Sequence, residues 1–300
     1  MQQAYKSAIE RRTRTLYLML APALIVMVVI IVFPLFYLFR SSLMKWELTN
    51  PLGRGFIGMA NFVKLAQDTQ FYHALGVTAI FVLGAVLGQI VLALIMAEIL
   101  NVTFRGRNLV QSLLILPMVI APIVVGVIWK MLYNPNLGVV NYLCQAVLGF
   151  KVSWLGTGGM ALLSLVIVDI WQWTPFVLLM FLASYSAVPP EFYEAADVDG
   201  ANRWQKFAFI TFPMILPMII FALLFRMTEA FKVFPKIFIM TMGGPGFATE
   251  TLNFYTYRQA FTYTDIGYSS TLGVAMLAFS MILIGALFGI IKRTVRIGGQ

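Results

Sequence analysis

Three hundred residues, 60% of them hydrophobic and only 11% charged, exclude an ordinary soluble domain, in which about a quarter of residues are charged. A net charge of +9 suits basic side chains at lipid headgroups and is no argument for a nucleic-acid partner. One cysteine and one histidine exclude an internal disulfide, a cysteine metal cluster and paired-histidine chemistry. Cys144 is expected to be a small buried side chain, and His73 an interfacial or packed one.

The chain opens polar and basic over Met1–Thr15. Leu16–Phe39 is then apolar for long enough to cross a bilayer core of about 30 Å, which takes roughly 20 residues. It is longer than the apolar core of a signal peptide and no small-residue cleavage site closes it, so it reads as a retained first span. Arg40–Gln70 is mixed, with Asn61–Leu65 expected as a short amphipathic helix on the membrane. Phe71–Leu100 is the second span, interrupted by Gln89 and by Glu98, which is expected to reach for the headgroups. Leu109–Tyr133 is the third, bent by Pro117 and Pro122. Asn134–Gly159 is a loop rich in turn residues. Met160–Leu182, Pro213–Met240 and Ile266–Ile291 are the fourth, fifth and sixth spans. The expected class is therefore all-α and polytopic, with six transmembrane helices.

Six spans place both termini on one side. That side holds eleven Lys and Arg in short segments next to span ends, against seven on the other. The bias makes both termini cytoplasmic, together with the polar island over 189–213. The chain carries no Gly-x-x-x-x-Gly-Lys-Ser/Thr sequence to cradle a nucleotide, and no nucleophile–base constellation. It is read as a transport subunit without a cofactor of its own.

Polar residues inside spans are costly and usually face a cavity. Asp169, Gln172, Trp173 and Phe176 crowd the fourth span, with Trp171 beside them. Arg226, Glu229, Ala230 and Val233 share one face of the fifth, with Lys232 and Lys236 nearer its outer end. Aromatic rings for sugar C–H faces and polar groups for hydroxyls suit a carbohydrate pocket. Arg226 and Glu229 are one turn apart and can pair, which leaves open whether they contact a substrate or only each other.

The polar island carries a further pattern. Glu194-Ala195-Ala196 is followed by Gly200, by Ile210 and by Phe212-Pro213. This resembles the EAA loop of permease subunits of binding-protein-dependent ABC importers, with Phe for Leu before the proline. Gly58-Met59-Ala60-Asn61-Phe62 is similar to a segment of the sugar permeases. Gly243-Gly244-Pro245 followed by Thr249-Glu250-Thr251-Leu252 resembles an external loop of the maltose/glycerol-phosphate type. The resemblance implies the type-1 permease fold, with residues 1–70 leading into a core over 71–291, a coupling loop at 189–213 and a cytoplasmic tail at 292–300.

The same resemblance implies that Glu191, Glu194, Ala195, Ala196, Asp199, Gly200 and Arg203 couple to an ATPase dimer, which binds ATP and magnesium. It implies a second, non-identical permease, an extracytoplasmic solute-binding protein and a small sugar as partners, in the bacterial cytoplasmic membrane. Sugar-contacting positions of the maltose type fall near Gln172, Trp173, Phe176, Arg226, Ala230 and Val233. The departure at Arg226, Ala230 and Val233 points away from maltose, and a buried Arg226 suits an acidic or phosphorylated sugar. An ion-coupled secondary transporter, a permease for a non-sugar solute and a membrane enzyme are the rival readings.

Overall fold

A computed structural model describes the backbone of residues 2–102 and 104–297. Gly298, Gly299 and Gln300, the end of the expected 292–300 tail, lie outside the described residues. Contacts divide the chain into two units, one of residues up to 67 with 258–275, the other of 68–257 with 276 onward.

In the first unit, helix α1 (Gln2–Ser42) contains the expected first span, with Pro22 and Pro34 inside it. None of the most apolar stretch of Met19–Ser42 is buried within the chain. A helix apolar on every side is matched to lipid. A two-residue hairpin follows, β1 (Met44–Lys45) antiparallel to β2 (Gly55–Phe56). Helix α2 (Ala60–Gln67) covers the expected Asn61–Leu65 segment.

The buried Asn61 explains why α2 sits where it does. Its Nδ2 donates to Ser42 O at 2.9 Å and to Met44 O at 3.0 Å. Those carbonyls end α1 and begin β1, where a helix terminus leaves acceptors without partners. Asn61→Ala removes both bonds, leaving Ser42 O with only the longer bond from Thr271 Oγ1 at 3.2 Å, and is expected to destabilise by about 1–3 kcal/mol. The midpoint of thermal unfolding in detergent measures this.

The second unit is built on α3 (Thr69–Leu100), α7 (Gly158–Tyr185) and α10 (Phe212–Phe231). Phe81, Ala85, Ala93, Leu165, Phe181, Ile215 and Ala222 form its fully buried core. Gly84 and Gly88 let α3 and α7 approach closely. A Cβ on Gly84 would touch Val166, and one on Gly88 would overlap the Ile170 side chain. Small residues four apart are the usual device for close helix packing in a membrane. The remaining helices are α4 (Arg107–Val119), α5 (Pro122–Leu132), α6 (Val139–Leu148), α8 (Pro190–Val198), α9 (Arg203–Lys206), α11 (Pro235–Met240), α12 (Leu252–Phe261) and α13 (Ile266–Ile297).

Two expected spans are drawn differently by the structure. Leu109–Tyr133 is not one helix but α4 and α5, bent by 98°. Pro122 has no N–H to continue the ladder and forces Ala121 into an extended conformation (ψ 135°). Pro213–Met240 also breaks. Its helix ends at Phe231, and Pro235 starts α11 as the first residue of a new helix. At its other end the apolar span runs back to Arg203, through a π-helical turn at Phe207–Thr211. Among the described residues, five helices are long and apolar enough to cross a membrane, or six with the bent α4–α5 pair counted as one span. Cys144 is half-buried rather than fully buried.

Candidate functional site

Asp169 lies on the face of α7 that meets α3 and α10, 2% exposed. Its Oδ2 accepts from Gln89 Nε2 at 2.8 Å and from Arg226 Nη2 at 3.2 Å, and its Oδ1 accepts from Lys236 Nζ. Arg226 Nε donates to Gln89 Oε1 at 2.8 Å. The Arg226 guanidinium also lies 4.7 Å from the centroid of the Trp173 ring, a cation–π distance. Four elements, α3, α7, α10 and α11, thus each send one polar side chain to the same buried point.

An open cavity of about 210 Å³ adjoins this cluster. It is lined by Asp169, Trp173, Arg226, Glu229, Ala230 and Val233, with Pro122, Lys232, Pro235 and Lys236. The structure therefore brings together six of the eight residues expected to bind substrate. Gln172 and Phe176 are elsewhere. Gln172 Nε2 donates to Ile120 O at 3.0 Å, beside the α4–α5 bend, while its buried Oε1 has no partner among the described residues. Phe176 packs on Phe225 with ring centroids 5.3 Å apart. Trp171 is 37% exposed and meets Trp129 edge-on instead of lining the cavity.

The Arg226–Glu229 pair that the spacing allows is not the one that forms. Arg226 turns inward to Asp169, and Glu229, on the open side, pairs with Lys232 at 2.8 Å. Gln89 and Lys236 are the members of the cluster that the sequence reading did not assign to the site. Gln89 was visible as an amide in an otherwise apolar span. Lys236 reaches the cluster from α11, the helix that Pro235 begins.

The second constellation is the 189–213 segment. Pro189 and Pro190 start α8, with Glu191 in its first turn. Beyond the helix, Gly200 has φ +72°, a region that glycine enters without penalty. Its N–H donates to Asp197 O at 3.1 Å, and Ala201 N–H donates to Ala196 O at 2.8 Å. These two bonds form a Schellman cap. The Ala196-x-x-x-Gly200 spacing is thus a helix terminator. Asn202 and Gln205 then cap α9 reciprocally, side chain to backbone in both directions.

Arg203 ties this segment to the bundle. Its Nε donates to Glu98 Oε1 at 3.1 Å and its Nη2 to Glu98 O at 3.0 Å, while Tyr185 OH donates to Glu98 Oε2 at 3.2 Å. Glu98 does not reach outward to headgroups. It joins the ends of α3 and α7 to α9. Lys206 pairs with Asp197, and Tyr193 OH lies 2.9 Å from Thr211 Oγ1. Glu191, Glu194, Ala195, Asp199 and Gly200 are exposed, and Ala196 is 9% exposed. Phe192, Val198 and Trp204 add an exposed apolar surface beside them.

A capped surface helix carried on a bundle of apolar spans is the architecture of a multi-pass membrane protein. Residues 89–296 match the family of binding-protein-dependent transport system inner membrane components. The chain is 40% identical over 291 residues to the probable ABC transporter permease protein y4oQ of Sinorhizobium fredii, covering 94% of both chains. It is 33% identical to the trehalose/maltose transport system permease protein MalF of Thermococcus litoralis, over 91% of both chains. It is 34% identical to the sulfoquinovosyl glycerol transport system permease protein SmoG of Agrobacterium fabrum, over 92% of this chain and 89% of that one. A solved chain of a bacterial ABC transporter involved in the import of the acidic polysaccharide alginate shares the fold at a TM-score of 0.83. It is 24% identical, with 97% of this chain and 99% of that chain covered.

The chain belongs to the family of binding-protein-dependent transport system inner membrane components. It is a multi-pass membrane permease of the ABC importer type, with the type-1 permease fold.

Proposed function

We propose that this chain is the sugar-conducting permease subunit of an ATP-driven importer, one of two non-identical permeases around a shared path. The observation that carries this reading is the capped α8–α9 unit. It offers an exposed helix with apolar neighbours, and is joined to α3 and α7 through Arg203, Glu98 and Tyr185. An ATPase dimer gripping α8 from the cytoplasm moves those two helices, and α7 carries the Asp169 cluster. ATP and magnesium belong to that dimer, and this chain holds no cofactor. A solute-binding protein delivers the sugar on the outer side, and both termini are cytoplasmic. The names of two relatives, one for trehalose and maltose and one for sulfoquinovosyl glycerol, support a carbohydrate as the solute.

Purifying the chain from its native membrane tests the reading. A second permease, an ATPase pair and a solute-binding protein are expected with it. A chain that purifies alone and transports on a proton gradient without ATP overturns it.

The Arg203–Glu98 link makes a finer expectation. The pair is partly exposed, so its loss is worth only about 0.2–1 kcal/mol in stability. Arg203→Gln should therefore fold and assemble normally. ATP hydrolysis should persist while transport falls several-fold, and Glu98→Gln should do the same. Unchanged transport per ATP hydrolysed in both variants removes this link from the coupling path.

A further inference from the structure

We infer that the cavity beside Asp169 is a subsite for a negatively charged group on the solute, a carboxylate, sulfonate or phosphate, held by Lys236 and Arg226. The inference rests on the import reading above and narrows its substrate class. The argument begins from charge. Two cations, Arg226 and Lys236, are each 2% exposed, and both share the single carboxylate of Asp169. The other charged residues lining the cavity, Glu229 and Lys232, pair with each other near its exposed side and cancel. The inner wall therefore carries one positive charge more than it carries negative.

Donor capacity points the same way. A lysine ammonium has three N–H groups and a guanidinium five. Among the described residues, Lys236 Nζ bonds only to Asp169, and Arg226 bonds through Nε and Nη2, leaving Nη1. Asp169 has no such surplus, because both its oxygens are engaged. An uncompensated buried cation is costly, and an anion entering beside it restores neutrality. Paired, partly desolvated nitrogen donors form charge-assisted bonds to planar or tetrahedral oxyanions. Trp173 holds Arg226 from one side, and its ring offers an apolar face to the rest of a sugar. A site built only for neutral hydroxyls has no use for the second cation.

The test is thermal unfolding of the purified importer with sodium glucuronate, glucose or sodium sulfate, at one ionic strength. It is run on wild type and on Lys236→Gln, which keeps a donor for Asp169 and leaves the cluster neutral, so that it should fold like wild type. Glucuronate should raise the wild-type midpoint by about 2 °C or more and glucose should not. In Lys236→Gln that difference should vanish while the midpoint without solute stays near wild type. Because the substitution is in the permease, solute binding by another subunit moves both proteins alike. Equal shifts with glucose and glucuronate overturn the anionic subsite and leave sugar import standing. A shift with sulfate but not with glucuronate keeps the anion subsite and counts against a sugar. No shift with any of the three overturns the subsite.

Discussion

Asp169→Asn is expected to be the most damaging single substitution in the transmembrane core. It nearly preserves shape but removes the one negative charge that Arg226 and Lys236 share. Breaking a buried pair by deleting one partner typically costs about 3–5 kcal/mol, because the remaining charge stays buried. Here two cations are left, at 2% exposure each. The thermal midpoint in detergent should fall by on the order of 10 °C, and transport should be lost. A matched control separates charge from shape. Replacing Asp169 and Gln89 with Leu together with Arg226 and Lys236 with Met removes the charges of the cluster and the amide bonded to them, and apolar replacement of a buried ionic cluster is often neutral or stabilising. The quadruple variant should recover stability but not transport. If Asp169→Asn unfolds within a degree of wild type, the cluster is not the electrostatic knot described above.

Gly200→Leu is expected to abolish transport while the protein remains folded in the membrane. At φ +72° a leucine meets a penalty of roughly 1–2 kcal/mol, small beside the stability of the bundle. The penalty falls wholly on the Schellman cap, through the bonds of Gly200 to Asp197 and of Ala201 to Ala196. Relieving it means unwinding the end of α8 or re-aiming α9. Either changes the surface presented by Glu194, Ala195 and Ala196. Gly200→Asn tolerates the same backbone region and should retain most transport. Equal transport by Gly200→Leu and wild type, at equal expression, would remove the cap from the mechanism.

Much of this architecture was legible in the residues, and the gaps have physical causes. Apolar runs located α1, α3, α7, α10 and α13, because length and hydropathy suffice to mark a helix that must satisfy its backbone inside lipid. The 189–213 segment was legible for a different reason. Its glycine, its alanines and its prolines are fixed by backbone geometry, which acts over a few residues. The pairing of Arg226 was not legible. Glu229 is three residues away and Asp169 is 57, and choosing between them requires the rotation of α10 about its axis. Nor was the place of Lys236 beside Asp169 legible, since it depends on Pro235 beginning a new helix. Gln172 carried the right chemistry for a pocket, but the carbonyl freed at Ile120 by the α4–α5 bend claimed it first.

The two caps on the α8–α9 segment have a consequence for recognition. A peptide that must fold as it docks gives up the freedom of its backbone at that moment, and the loss is subtracted from the affinity. Here the Schellman turn at Gly200 and the reciprocal cap at Asn202 and Gln205 fix the helix ends before any partner arrives. Whatever grips this element meets a rigid body. Under the coupling role proposed for it, little of the contact energy with an ATPase would be spent on ordering this handle.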